Sequence, residues 1–525
     1  MLDIPLSVPI FLPLAAGLLT LLAPGRLARW IVLLATLGVL AYALVMIADF
    51  SPGQSGYHYV TDYAWIDELG IRYTLGIDGL NLFLFALTAF LWAASVFAAS
   101  LRDWDRPRLF YFHLALGETA VLGAFCAQDL ALFVLFFDLM LVPFYFLVGG
   151  WGHGERIQAT TKLIIYTLVG SLLMLAGAVA LGVLATPEGG QISFSFTDLT
   201  QRSANLSPGA QSWIFLLFAL AFLVKAPAFP VHGWMPDAYR AAPLVVLVPL
   251  SAVVSKVGVY GFLRIVLPIL PDASARYQDL ILVIAVVSIL YGSVLAFSQD
   301  NVRLVVGYSS VAQLGFITLG IFSFDPKGAQ GALMQMVNHG LVVAPLFLIV
   351  AVLARRTNGS ESLTELGGAA FRAPVLAALF LITTFATLAM PGSPNFVAEL
   401  LILFGALETK IVFGLVASVG VVLAAVYMIR VFQRSMHNRV GPMVASREIG
   451  GGDLLAIVPL VAVVVALGVY PQLILGRTEA DTTPKVRAAA QAAGVTPPTE
   501  AANPDTRARA SAECRDPAVA CPVAP

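Results

Sequence analysis

The sequence predicts an all-α integral membrane protein with about fourteen transmembrane helices, arranged as two inverted repeats that each contain a broken helix. Three observations carry that prediction. Of 525 residues, 59% are hydrophobic and 12% are charged, where soluble domains carry about a quarter charged. The apolar residues fall in runs of about 20, the length that crosses a bilayer core as a helix. Two of those runs are interrupted at mid-depth by proline clusters, FLVKAPAFPVHGWMPD at 222–237 and LAMPGSPNFVAELLILFG at 388–405.

Taken in order, the expected spans lie near 5–23, 29–48, 76–100, 109–126, 129–150, 162–185, 211–236, 242–266, 278–298, 303–323, 330–354, 373–405, 410–432 and 453–475. Each is helical by expectation, because lipid offers no partner to free backbone groups. The first run lacks a basic flank, so it reads as a span and not as a cleavable signal. The chain divides into an N-terminal three-helix region (1–108), a first repeat (109–266), a second repeat (278–434), a last transmembrane helix (435–475) and a polar tail (476–525). The tail is rich in Ala, Pro, Thr and charge and is expected to be disordered. Cys514 and Cys521 lie in it, either paired or incidental.

Orientation follows from Lys and Arg in the short loops. One set of alternate loops holds Arg26, Arg102, Arg106, Arg108, Arg156, Arg240, Arg303, Arg355, Arg356, Arg434, Arg439 and Arg447. The other holds Arg72, Arg202, Arg276 and Lys327 beside several carboxylates. The first set is expected to face the cytoplasm, which puts both termini outside a bacterial cytoplasmic membrane.

An ionisable residue at mid-membrane is costly, usually faces the bundle interior and marks a pathway. The candidates are Glu118, Asp138, Lys225, Lys256, His339 and Glu399. Pro227 removes a backbone donor and clashes with the preceding turn, so the helix breaks beside Lys225. Such a break is tolerated where it lines a wet or protein-buried cavity. A lysine there can exchange a proton, although a static or snorkelling lysine is the plainer alternative. Asp138 is a lone carboxylate and a natural partner for Lys225, and the pair can act as a proton switch. Lys256 is the next relay candidate. His339 titrates near neutrality when unperturbed, or it is simply hydrogen-bonded in the bundle. Glu399 follows the second proline cluster. Glu118 has no evident partner.

A formal net charge of −1 argues against a nucleic-acid face. Three cysteines have no metal-ligand or iron–sulfur spacing, and there is no glycine-rich dinucleotide fingerprint and no P-loop. The chain is read as moving an ion or a proton without carrying electrons.

Several stretches together carry a resemblance: GIDGLNLFLFALTAFL, FDLMLVPFYFLVGGWGH, ATTKLIIYTLVGSLLML, VKAPAFPVHGWMPDAYRAAP, SKVGVYGFLR, YSSVAQLGF, NHGLVVAPLF and MPGSPNFVAE. The chain resembles the antiporter-like membrane subunits shared by respiratory complex I and Mrp-type cation/proton antiporters, over nearly everything up to about residue 475. A glutamate, Glu399, after the late break, the FDLMLVPFYFLVGGWGH run and the lack of a long lateral helix look like the M-type branch. The resemblance implies a subunit of a proton-translocating NADH:quinone oxidoreductase, a translocase with no redox centre in this chain. It implies Asp138 paired with Lys225, a central relay of Lys256 and His339, and Glu399 as the exit-side group. NADH, FMN, iron–sulfur clusters and quinone would belong to partner subunits, and L- and N-type subunits would be its neighbours in the bilayer.

The chain departs from that family in three places. Asp138 stands where glutamate is usual, so its approach to Lys225 must be closer-packed or water-bridged. Gln313 stands where a relay histidine is common; it can hold water but cannot titrate. AAPLVVLVPLSAVVSK replaces the usual small-residue stretch before the central lysine. An Mrp-type antiporter subunit, a membrane-bound hydrogenase-type subunit and a static membrane scaffold are the competing readings.

Overall fold

The computed structural model describes residues 4–438 and 448–495. Its main helices are α1 (Ser7–Leu22), α2 (Gly25–Asp49), α3 (Leu82–Ser100), α4 (Pro107–Cys126), α5 (Leu130–Trp151), α6 (Arg156–Leu184), α7 (Pro208–Lys225) and α8 (Leu244–Ile269). They continue with α9 (Gln278–Ser298), α10 (Val302–Phe322), α11 (Pro326–Arg356), α12 (Pro374–Thr387), α13 (Pro394–Thr409), α14 (Ile411–Met436), α15 (Gly451–Val469) and α16 (Gln472–Ala492). Among the described residues twelve helices are long and apolar enough to cross a membrane. The shorter apolar helices α1 and α12 stand at the first and twelfth expected spans.

Local chemistry sets the helix starts. Asp129 caps α5, accepting from the Ala131 and Leu132 amides at 2.9 and 3.1 Å. Asp325 caps α11 in the same way, and Pro326 occupies its first turn, where a missing N–H costs nothing. Ser207 followed by Pro208 starts α7 by the same device.

Both expected breaks are present. α7 stops at Lys225, and an irregular segment leads to a short helix, Met235–Ala241. Backbone groups freed there find partners: the Val224 carbonyl accepts from the Trp234 indole at 2.9 Å, and the Phe229 amide donates to Ser288 at 3.0 Å. The second break separates α12 from α13 around Gly392, whose φ of 95° suits a residue without a side chain.

α8 and α11 are buried along their whole spanning windows and form the centre of the bundle. α8 is not a regular helix, since its turns at Leu250–Val254 and Phe262–Val266 are π-helical, a distortion frequent at functional sites. α8 also packs directly on the α7 break, and Gly258 makes that possible. A side-chain carbon there would meet the Phe222 carbonyl at 2.5 Å and the Ala226 nitrogen at 3.2 Å.

Two elements differ from expectation. Residues read as a loop form an antiparallel hairpin, β1 (His58–Ile66) with β2 (Ile71–Ile77), Tyr63 opposite Tyr73 and Arg72 clamping Asp62 at 3.0 and 2.9 Å. Residues 476–492, expected within a disordered tail, are helical as part of α16. Asp481 on α16 accepts from the amides of Gly56 and Gly79 at 3.0 and 2.7 Å, so a polar helix docks on the base of the hairpin. Cys514, Cys521 and the rest of the tail, with Arg439 and Arg447, lie outside the described residues.

Four loop arginines of the first set converge on one face. A cleft of about 540 Å³ there is lined by Arg102, Arg240, Arg303 and Arg355, with Glu361 paired to Arg303. The opposite face carries the hairpin, α16 and the Lys327–Glu408 and Lys410–Asp279 pairs.

Candidate functional site

The two breaks and the two central helices carry Lys225, Lys256, His339 and Glu399, all buried, while Asp138 on α5 is partly buried. Lys225, the last residue of α7, is buried. Its ammonium sits over the Phe137 ring, 4.4 Å from the centroid, and reaches the Phe137 carbonyl at 3.5 Å. Such a face stabilises a desolvated cation.

Asp138, next along α5, lies against Ser171 of α6 and within electrostatic reach of Lys225. The two do not form the direct pair that the resemblance implies: no ion pair within 4.0 Å joins them among the described residues. The short aspartate side chain leaves its buried Oδ1 without a hydrogen-bond partner among the described residues, while Phe137 takes up the ammonium. A gap of this kind is bridged by water or closed by side-chain motion, which suits a pair that changes its coupling.

Lys256 is completely buried in α8, two residues before the glycine that seats α8 on the break. Its ammonium donates to the Ser251 carbonyl at 2.8 Å and the Ser255 hydroxyl at 3.3 Å. His339 on α11 lies within electrostatic reach of Lys256, and neither ring nitrogen has a hydrogen-bond partner among the described residues. Gly340 beside it lets α11 approach the Ala252 carbonyl, where a side-chain carbon would sit at 2.7 Å.

Glu399 projects from α13 into a set of amides. Its Oε1 accepts from Gln313 at 2.9 Å and from Gln335 at 3.4 Å, and Gln335 also donates to Gln313 at 2.7 Å. The non-titrating Gln313 thus holds the carboxylate by a direct hydrogen bond. Asn338 ties α11 to the second break by donating to the Pro394 carbonyl at 2.9 Å. Asn395, four residues before Glu399, and Tyr427, within its electrostatic reach, are buried, and their side-chain polar atoms have no hydrogen-bond partner among the described residues.

Glu118 stands apart. It is completely buried in α4, and both its oxygens lack a hydrogen-bond partner among the described residues. The sequence reading missed Ser171, Ser251, Ser255, Gln335 and Tyr427. Only their polarity within apolar spans could have marked them, and neutral polar residues there commonly bond the carbonyl one turn back.

The sequence family described as "NADH:quinone oxidoreductase/Mrp antiporter, TM" matches residues 127–424. NADH-quinone oxidoreductase subunit M of Rhodobacter capsulatus is 36% identical over 483 residues, covering 89% of this chain and 94% of that one. The subunit M of Mycobacterium tuberculosis (strain ATCC 25618 / H37Rv) is 36% identical over 514 residues, 90% of this chain and 92% of that one. Among solved structures, a chain of respiratory complex I from Thermus thermophilus superposes with a TM-score of 0.84 at 29% identity, covering 93% of this chain and all of that one (100%). A chain of the Mrp complex from Dietzia sp. DQ12-45-1b shares the fold, with a TM-score of 0.81 at 23% identity over 92% of this chain and 98% of that one. With a buried lysine at each of two packed helices, a glutamate behind the second break, and this set of relatives, the chain belongs to the NADH:quinone oxidoreductase/Mrp antiporter membrane family.

Proposed function

We propose that this chain is the M-type proton-translocating membrane subunit of a bacterial NADH:quinone oxidoreductase. Its relatives at 36% identity are named as that subunit, which supports this reading over an Mrp antiporter. The observation that supports the mechanism is the seating of α8 on the α7 break through Gly258, whose neighbours there are the Phe222 carbonyl, the Ala226 nitrogen and the Cβ of Lys225.

In this reading the arginine-lined face is cytoplasmic and both termini are outside. Electron transfer happens in partner subunits, which hold NADH, FMN, the iron–sulfur clusters and quinone. L- and N-type subunits flank this chain. Quinone reduction changes the charge felt at Asp138. The proton on Lys225, held by the Phe137 face and by the nearby carboxylate, then moves toward Lys256, His339 and Glu399. Coupling of this sort is a free-energy difference between two protonation states set by a neighbouring charge.

The test is Lys225→Ala in the intact complex, reconstituted in vesicles. Proton uptake per NADH is expected to fall while the complex still assembles. A static scaffold predicts the reverse: less assembled complex, with pumping unchanged in what assembles. Purification of the tagged chain without NADH:quinone reductase activity would favour the antiporter.

A further inference from the structure

A second basic site lies where three helix ends meet: the start of α2, the end of α3 and the start of α4. They meet closely. A side-chain carbon at Gly25 would sit 3.1 Å from the Pro107 ring. Between them is a cavity of about 110 Å³, lined by Arg26, Arg29, Arg102, Asp103, Trp104 and Tyr111. Arg102 also lines the larger arginine cleft, so the two lie side by side on one face.

The charges around this cavity do not balance. Three arginines line it with one carboxylate, and among the described residues none of the four takes part in an ion pair within 4.0 Å. Arg29 donates through Nη1 to the Ser100 carbonyl at 3.2 Å, but its Nε is buried with no hydrogen-bond partner among the described residues. Arg102 is half-buried in the turn between α3 and α4. Burial and, after it, the like charge of Arg355 hold its guanidinium below the ordinary value. An anion beside Arg102 would offset both effects.

Tyr111 is an independent sign of a missing partner. It is 2% exposed, and its hydroxyl has no hydrogen-bond partner among the described residues. Arg29 and Asp103 lie within electrostatic reach of it. The Trp104 indole, on the same wall, is already satisfied by the Ala99 carbonyl at 2.9 Å. A buried polar group without a partner needs an explanation. The two unsatisfied groups here, a phenol O–H and a guanidinium N–H, can both donate, so the group that completes the cavity is an acceptor.

The position selects the acceptor. Leu27, Trp30, Leu34 and Leu37 recur every three or four residues and are exposed along one side of α2. In a spanning helix such a side faces acyl chains. Trp30, with the Arg29 guanidinium 5.5 Å from its ring centroid, stands at the level where tryptophan marks the headgroups. A phosphate carrying acyl chains finds donors in the cavity and an apolar surface beside it. Arginine suits phosphate because it donates two parallel N–H bonds to its oxygens. Basic pockets between spanning helices hold anionic headgroups in this way.

We propose that Arg26, Arg29, Arg102 and Tyr111 form a binding site for the phosphate of an anionic phospholipid whose acyl chains lie along the exposed side of α2. The site binds the lipid and makes or breaks no covalent bond. It is independent of the proton-translocating reading.

The test uses the purified complex that contains the tagged chain, reconstituted in phosphatidylcholine vesicles that carry phosphatidylglycerol with a photoreactive acyl chain. Labelled peptides are mapped by mass spectrometry. Label is expected on residues 25–37, displaced by excess unlabelled phosphatidylglycerol and not by inorganic phosphate. In Arg26→Gln/Arg102→Gln it should fall to the level given by photoreactive phosphatidylcholine, with labelling of the other spans unchanged. Tyr111→Phe removes one oxygen and keeps the packing. The phosphatidylglycerol content needed for half-maximal label should rise about tenfold in it, as expected for one lost hydrogen bond to a charged group. Equal labelling by the two probes in wild type, as a neighbouring subunit seated on this face would produce, overturns the site. So does label that survives in the double variant, an unchanged half-maximal content in Tyr111→Phe, or displacement by inorganic phosphate.

Discussion

At Gly258 a hydrogen atom in place of a side chain lets α8 seat against the end of α7, where Lys225 lies. Alanine there would push against the Phe222 carbonyl and the Ala226 nitrogen, both backbone and unable to swing away. Gly258→Ala is expected to destabilise the subunit by about 1–3 kcal/mol, read as a lower unfolding temperature of the purified complex. Asp138 offers a complementary test. It lies near Lys225 without touching it, so Asp138→Glu, one methylene longer, should keep pumping. Asp138→Asn, which removes the charge, should reduce proton uptake per NADH. Equal pumping in the two would mean that the Asp138 charge does not govern Lys225. Lys225, Lys256 and Glu399 were legible in the sequence because a charge in an apolar run stands out without any geometry. Ser251 and Gln335 were not, because a neutral polar group in a span gains meaning only from the partner it faces.

The hairpin and α16 show how the same limit acts on whole elements. The spans were legible because a membrane demands one length and one composition. Residues 71–77 (IRYTLGI) alternate in the manner of a strand, with Gly70 at φ 66° closing the turn, but residues 58–66 do not, and the charges among them resemble those of an ordinary loop. α16 is polar because it docks on protein outside the lipid, so composition read it as disordered. Its anchor is testable. Burial and the neighbouring Asp78 raise the Asp481 carboxyl above the ordinary carboxylate range. A carboxyl raised in the docked state binds more protons there than when free. Docking is therefore strongest below the ordinary carboxylate value near pH 4 and weakens as pH rises through the raised value. Hydrogen exchange of residues 476–492, corrected for intrinsic rates, should grow across that window. In Asp481→Asn the growth should vanish; if it persists, the pH response lies elsewhere.

At the scale of the molecule, one buried ion pair ties the outer ends of several elements together. Arg264, in the second π-helical turn of α8, donates to both oxygens of Asp78 at 2.6 Å. Its Nε donates to the Tyr260 hydroxyl at 2.8 Å, which itself donates to the Phe125 carbonyl at the end of α4 at 3.0 Å. Asp78 precedes α3 and accepts from the Leu80 amide at 3.0 Å, and the adjacent Gly79 amide is held by Asp481 of α16. α8 is thereby fixed to α3, α4 and α16 at the end beyond Lys256. Neither partner has appreciable contact with solvent. Removing one leaves the other charged and buried, so Asp78→Leu and Arg264→Met are each expected to cost about 3–5 kcal/mol. The double variant removes both charges and should cost clearly less than the sum of the two. Thermal unfolding of the solubilised complex in the four forms measures that difference. Simple additivity would show that the pair acts as two independent residues, and the fixed base for α8 would then have to come from packing alone.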